Sequence, residues 1–244
     1  MEVIFIVLIF SIVQSIFGVG LLLFGTPTLL LLGVGYEQVL WILLPSSITI
    51  SLYQVFEKKI LINSKKEVYI YTIPALIIGL IIVIMYNDSV DIKKIVGLFL
   101  LVIGIIRLSK EFRVILKRFI ENNFKTYYAL MGLVHGISNM GGGMLTVLMS
   151  STYDKKEMIQ ANISHIYLLF GLSQLLVLSF ISSYTYYYQM PILIVLSSFS
   201  YYLTNKYLSV FINDSKYQLL ITFLVLFYGI VALIIVPQQI KTTI

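Results

Sequence analysis

Apolar residues come in runs long enough to cross a bilayer, and charged or turn-forming residues punctuate them. A membrane helix needs about 20 apolar residues. The stretch from Met158 to Asn205 holds no Asp, Glu, Lys or Arg and has room for two such helices. Cutting the chain at its charges and turn residues predicts about eight spans. The first starts near Val3 and is interrupted at Gly18-Val19-Gly20, after which apolar sequence resumes to Gly33. It reads either as one helix or as a helix followed by a short re-entrant segment. The second covers about Val39–Phe56, the third Val68–Tyr86 and the fourth Ile95–Leu108. A basic connector follows, from Arg107 to Lys125. The fifth span covers about Tyr127–Leu148, the sixth Met158–Ser182, the seventh Met190–Lys206 and the eighth Tyr217–Val236.

The two halves of this pattern resemble each other. Ser11, Gln14, Ser15 and Gly18 fall in register with Gly132, His135, Gly136 and Asn139, and Gly20 with Gly141. Pro45-Ser46 matches Ala161-Asn162, and Thr49 matches His165. Pro74 matches Pro191, and Gly104 matches Gly229. The expected architecture is an all-α integral membrane protein with about eight transmembrane helices in two four-helix repeats. The first is residues 1–120 with the basic connector, the second residues 121–244. An even number of spans per half gives both halves the same orientation, so the repeat is expected to be parallel, with broken helices at the Gly-rich segments.

Composition sharpens the membrane reading. The chain is 59% hydrophobic and 11% charged, whereas a soluble domain carries roughly 25% charged residues. The net charge of +6 lies between apolar runs, which points to loops facing anionic lipid rather than to nucleic acid. Lys58, Lys59, Lys65, Lys66, the basic connector and Lys241 fall on the side of both termini in an eight-span chain. Lys93, Lys94, Lys155, Lys156, Lys206 and Lys216 fall on the other. Positive-inside counting then puts both termini in the cytoplasm, in a multi-pass protein of the cell membrane. The start Met1-Glu2 lacks a basic leader region and reads as a retained first helix. Tyr184–Tyr188 reads as an interfacial aromatic belt.

Cysteine is absent, which excludes disulfides and thiolate metal sites. Two His without intramembrane carboxylates predict no metal, and no cofactor is expected. No G-x-S-x-G, H-E-x-x-H or Walker A pattern occurs. The candidate chemistry lies in the Gly-rich breaks, Gly18-Val19-Gly20 with Gly25-Thr26-Pro27, and Asn139-Met140-Gly141-Gly142-Gly143. Irregular backbone at membrane depth is tolerated inside protein or beside a wet cavity. The amides at a half-helix N-terminus bind anions. His135 lies roughly 14 Å into its span at 1.5 Å per residue. It and His165 are the intramembrane ionisable groups and the candidates for proton coupling. Neutral donors concentrate on the first, second, fifth and sixth spans: Gln14, Thr26, Ser46, Ser47, Thr49, Gln54, Asn139, Asn162 and Gln174. The predicted substrate site comprises Gln14, Gly18, Gly20, Thr26 and Ser46 from one half. From the other come His135, Asn139, Gly141, Gly142 and Asn162. Without a carboxylate it suits a small anion better than a cation.

The glycine breaks, with Thr28-Leu29-Leu30 and Gly33 after the first and Lys156 and Gln160-Ala161-Asn162 after the second, resemble the sulfite exporter TauE/SafE family of membrane permeases. The resemblance covers the whole chain. Departures are Leu21-Leu22-Leu23, where many members extend the Gly run, and Met144, where a Pro often follows Gly143. The resemblance implies export or uptake of sulfite, sulfonates or related sulfur-containing anions, coupled to an ion gradient. Protons, Na⁺ and assembly into a homo-oligomer are all compatible with it. Two other classes stay open on the residues alone: an intramembrane enzyme using Ser and His, and a membrane subunit of a larger transport complex.

Overall fold

The computed structural model describes residues 2–63, 65–85, 102, 105, 110–182, 189–224 and 226–227, and every regular element among them is helical. In chain order these are α1 (Glu2–Phe17), a π-turn (Leu21–Gly25) continuing into α2 (Thr26–Leu31), and α3 (Tyr36–Lys58). After a second π-turn (Val68–Thr72) comes α4 (Ile73–Met85), then α5 (Lys110–Asn122), α6 (Phe124–Ser138), α7 (Gly141–Thr152), α8 (Lys156–Ile181) and α9 (Met190–Leu203). Residues 214–224 form α10. Tyr36–Leu61, Val68–Met85 and Lys156–Ile181 are long and apolar enough to cross a membrane.

Both Gly-rich breaks reverse the chain. Gly18, at φ +79°, ends α1 with its N–H on the Gln14 carbonyl at 2.8 Å. The chain then runs back along α1. A Cβ on Gly20 would lie 2.5 Å from Gln14 N and 2.8 Å from Phe10 O, and Phe24 faces Phe10 with ring centroids 6.2 Å apart. Asn139 repeats the device at φ +63°, its N–H on the His135 carbonyl at 2.8 Å. Helix α7 returns along α6, with Gly141 against Met131 O and the Cβ of His135. Left-handed backbone favours Gly, and Asn tolerates it better than most residues. The first span is therefore a helix plus a re-entrant segment, and the fifth is a helical hairpin.

These reversals overturn the parallel repeat. Helices α3 and α8 pack antiparallel: Ser164 Oγ donates to Gln54 Oε1 at 2.8 Å, Ile48 meets Gly171, and Trp41 Nε1 donates to Ser182 Oγ at 3.0 Å. The two hairpins likewise enter the bundle from opposite ends, and their tips meet inside it. This is the arrangement of an inverted repeat. A hairpin counted as one span hides one crossing, and an odd number of crossings per half inverts the second half. The register changes with it: Gln54 and Gln174 are counterparts, each one serving its own break, while Asn162 has no equivalent place.

The partition of the lysines changes for the same reason. Lys58 Nζ donates to Gln160 Oε1. Tyr201 donates to Glu57 at 2.5 Å, and Lys156 Nζ donates to the carbonyls of Ser209 and Ile212. A cavity joins Lys65 to Ile120, Tyr128 and Thr152. The connectors carrying Lys58, Lys65, Lys125, Lys156 and Lys206 therefore share one end of the bundle, the basic end. Helix α1 starts at the other end, since 16 residues separate Glu2 from Phe17 inclusive and Phe17 lies against Tyr217 of the basic end. The expected grouping of Lys58–Lys66 with the N-terminus does not hold.

Helix α4 lies on the outside, with Ile78, Ile82 and Met85 exposed. Its inner face and the π-turn before it pack so closely on α6 that a Cβ on Gly132 would stand 2.1 Å from Thr72 O, and one on Gly136 2.1 Å from Leu76 O. Those two glycines serve helix packing. Lys93, Lys94, Gly104, Arg107, Tyr184–Tyr188, Gly229 and Lys241 lie outside the described residues, as do most of the fourth span and the end of the eighth.

Candidate functional site

A broken helix end at membrane depth must satisfy its last carbonyls, and side chains do so at the first break. Gln54 Nε2 donates to Gln14 O (3.1 Å) and Ser15 O (3.0 Å). Gln160 Nε2 donates to Ser15 O at 2.7 Å, and Tyr217 Oη to Phe17 O at 2.9 Å. The Gln14 side chain closes the turn: its Oε1 accepts from Leu21 N at 3.2 Å, and its Nε2 donates to Ser47 O, Ser47 Oγ and Ser51 Oγ. Gly18 sits against Gln160 O, Ile163 and Ser164. The first break is thus saturated with internal hydrogen bonds.

The second break is tied to the first and is less complete. Asn139 Nδ2 donates to Thr26 Oγ1 at 2.9 Å, across the two halves, and Gln174 Nε2 donates to Asn139 Oδ1 at 2.8 Å. His135, the counterpart of Gln14, is fully buried, and neither ring nitrogen has a hydrogen-bond partner among the described residues. It packs on Phe170 (4.3 Å between centroids) and edge-on to Tyr167 (5.7 Å), with Gln174 beside it. Gln174 Oε1, Tyr167 Oη and Ser46 Oγ are also buried without hydrogen-bond partners among the described residues. A buried polar atom without a partner costs about 1–3 kcal/mol.

Tyr167 stands where the hairpin tips converge. A Cβ on Gly142, in the first turn of α7, would meet its ring at 2.9 Å and its hydroxyl at 3.3 Å. The backbone of Gly20 and Leu23, at the start of the other returning segment, faces the same hydroxyl without completing a hydrogen bond. Two half-helix N-termini from opposite directions therefore aim at one buried, polar, uncharged point. Backbone amides at such termini favour an anion.

Of the residues expected in the site, Gln14, Gly20, Thr26, His135, Asn139, Gly141 and Gly142 gather around the two tips. Gly18 sits at the tip of the first hairpin, turned toward α8. Ser46 is buried on α3 beside Ser47, its hydroxyl without a hydrogen-bond partner among the described residues. Asn162 lies elsewhere: it accepts from Asn63 N at 2.7 Å and donates to Leu61 O and Met158 O, pinning the connector at the basic end. His165 is partly exposed and bonds Tyr69 Oη at 3.1 Å. Tyr167 and Phe170 were not among the expected site residues. Their only sequence signal is the alignment that an inverted register creates, in which Tyr167 stands opposite Ser47.

The family model described as sulfite exporter TauE/SafE matches residues 3–232. The chain belongs to the sulfite exporter TauE/SafE family. Comparison with curated proteins and with solved structures gives no match. TauE/SafE is a family of membrane transporters, so a polytopic helical protein in a bilayer, handling a small anion, is the coarse reading that membership carries. It favours transport over intramembrane hydrolysis.

Proposed function

We propose that this chain carries a small sulfur-containing oxyanion, sulfite or a sulfonate, across the cell membrane, and that the anion is held where the hairpin tips meet. The observation that carries this reading is the convergence of the two returning segments on Tyr167, with the unpartnered nitrogens of His135 beside it. Tyr167 Oη, His135 and the amides of Gly20, Leu23 and Gly142 would share an oxyanion without any buried Lys or Arg. Neutral donors bind an anion without the desolvation cost of a full ion pair and release it readily, as a carrier must. In this arrangement the tips close the site from both ends, which is the occluded form of an alternating-access cycle.

Family membership and the neutral donor set support the anion; sulfur is the family's contribution. For coupling, His135 is the proton-carrier candidate. It is central, and His titrates near neutral pH when solvated. The orientation that fits the geometry places the basic end in the cytoplasm, since positive residues stay inside. The N-terminus then lies outside, opposite to the count made on eight simple spans. A binding screen of purified protein against sulfite, thiosulfate, sulfate, taurine and sulfoacetate tests the substrate class. Saturable binding of at least one sulfur oxyanion is expected, and a protein that binds none of the five sinks the reading.

A further inference from the structure

Helix α5 rests against α6 and α7 at the basic end, and Ile120 is the residue it turns inward, only 9% exposed. Val114, Ile115 and Phe119 are exposed. Phe112, Ile115, Leu116 and Phe119 recur at i, i+3, i+4 and i+7, which places them on one stripe. Of these, Ile115 is 62% and Phe119 39% exposed. Lys110, Arg113 and Lys117 recur at i, i+3 and i+7 on another line of the helix, and Arg118 is exposed. A short helix with an open apolar stripe, a basic face and a place at the end of a membrane bundle has the attributes of an interfacial helix.

We propose that α5 lies in the headgroup layer of the cytoplasmic leaflet, with its apolar stripe in the acyl boundary and its basic residues against the phosphates of anionic phospholipids. Ile120 fixes the rotation of the helix. With that residue against the bundle, about 100° per residue puts the stripe to one side of it and Lys110 and Lys117 to the other, with Arg113 close to the line of Ile120 itself. In this placement the exposed Ile115 and Phe119 meet lipid and the exposed Arg118 the water boundary. A cavity of about 420 Å³ opens beside α5, but Glu67 and Glu121 line it together with Lys65. An anionic headgroup inside it would meet two carboxylates, so lipid contact belongs to the outer face of α5. Each cation near an anionic surface contributes about 1 kcal/mol, or roughly fivefold in local lipid enrichment. The inference takes from the preceding section only membrane insertion and orientation. It does not depend on the substrate.

The chain has no cysteine, so Ile115→Cys can carry a single fluorophore in the full-length protein. The labelled protein is placed in nanodiscs containing equal mole fractions of brominated phosphatidylcholine or brominated phosphatidylglycerol. Quenching by both lipids is expected, with the anionic lipid about fivefold more effective at low mole fraction and low salt. Combining Arg113→Gln, Lys117→Gln and Arg118→Gln should remove that excess while leaving quenching by phosphatidylcholine unchanged. A fluorophore at Ile82→Cys, on the lipid-exposed face of α4, should respond to the two lipids alike and so reports on the fold. Equal quenching at Ile115→Cys by both lipids would overturn the headgroup contact. Absence of quenching by either would overturn the interfacial placement itself.

Discussion

At the scale of single residues, Tyr167 and Asn162 make opposite predictions. The Tyr167 hydroxyl is buried with no hydrogen-bond partner among the described residues, so it adds no full hydrogen bond to the unliganded fold. Tyr167→Phe should leave the melting temperature unchanged or raise it. A hydrogen bond to a charged ligand contributes on the order of 1.5–3 kcal/mol, so the same variant should weaken sulfite binding roughly tenfold to a hundredfold. Asn162 holds the connector through two hydrogen bonds, from Asn63 N and to Leu61 O, and lies away from the tips. Asn162→Ala should lower the melting temperature and leave the Kd unchanged. Calorimetric titration with thermal melts on both variants decides between them, and normal binding by Tyr167→Phe would remove the hydroxyl from the site. His135→Gln should abolish the pH dependence of flux in proteoliposomes and retain part of the binding. Unchanged pH-driven flux in that variant points to Na⁺ coupling or passive movement.

At the scale of elements, the hairpin turns and the α4–α6 seam fail for different reasons. Asn139 does two things: it adopts left-handed backbone, and its side chain links Thr26 to Gln174. Asn139→Gly preserves the backbone and removes the link, so the protein should fold and melt within a few degrees of the parent while sulfite flux falls at least tenfold. A β-branched residue at this left-handed position is a genuine strain, so Asn139→Val should instead cut the folded yield. Parental flux from Asn139→Gly would show that the link between tips has no part in transport. Gly136→Ala places a methyl 2.1 Å from the Leu76 carbonyl, backbone against backbone, where no side chain can swing away. It should reduce the yield of folded protein in detergent without a distinct effect on the affinity of what folds.

At the scale of the whole molecule, the hairpins decide which loops share a compartment. The connectors with Lys58, Lys65, Lys125, Lys156 and Lys206 lie at the basic end, and the described residues of the opposite end carry Glu2 and Glu37. Single cysteines test the orientation, because the parent has none. In intact cells an impermeant maleimide should label Gly35→Cys, at an exposed position with room for a side chain, and spare Lys59→Cys, which should react only after the cells are opened. The reverse pattern would place the basic end outside and contradict the positive-inside argument.

The sequence alone determined the solvent of this protein. Long apolar runs with charge confined between them leave no other home than a bilayer, whatever the fold. It also marked where the helices break, because Gly18, Gly20, Asn139 and Gly141 are local features that need no partner to be read. It named most of the polar residues at the tips, since a neutral donor inside an apolar run is visible in one dimension. Direction was another matter. Whether a break lets the chain continue across or turns it back depends on what the returning segment packs against. That was settled by Phe10 against Phe24, by Gly141 against His135 and by Gln54 against Ser164. With direction went the inverted repeat, the compartment of each loop and the membership of the site. Asn162 lies away from the tips and Tyr167 between them because register, not residue type, sets which side chains meet. Only packing in three dimensions fixes register.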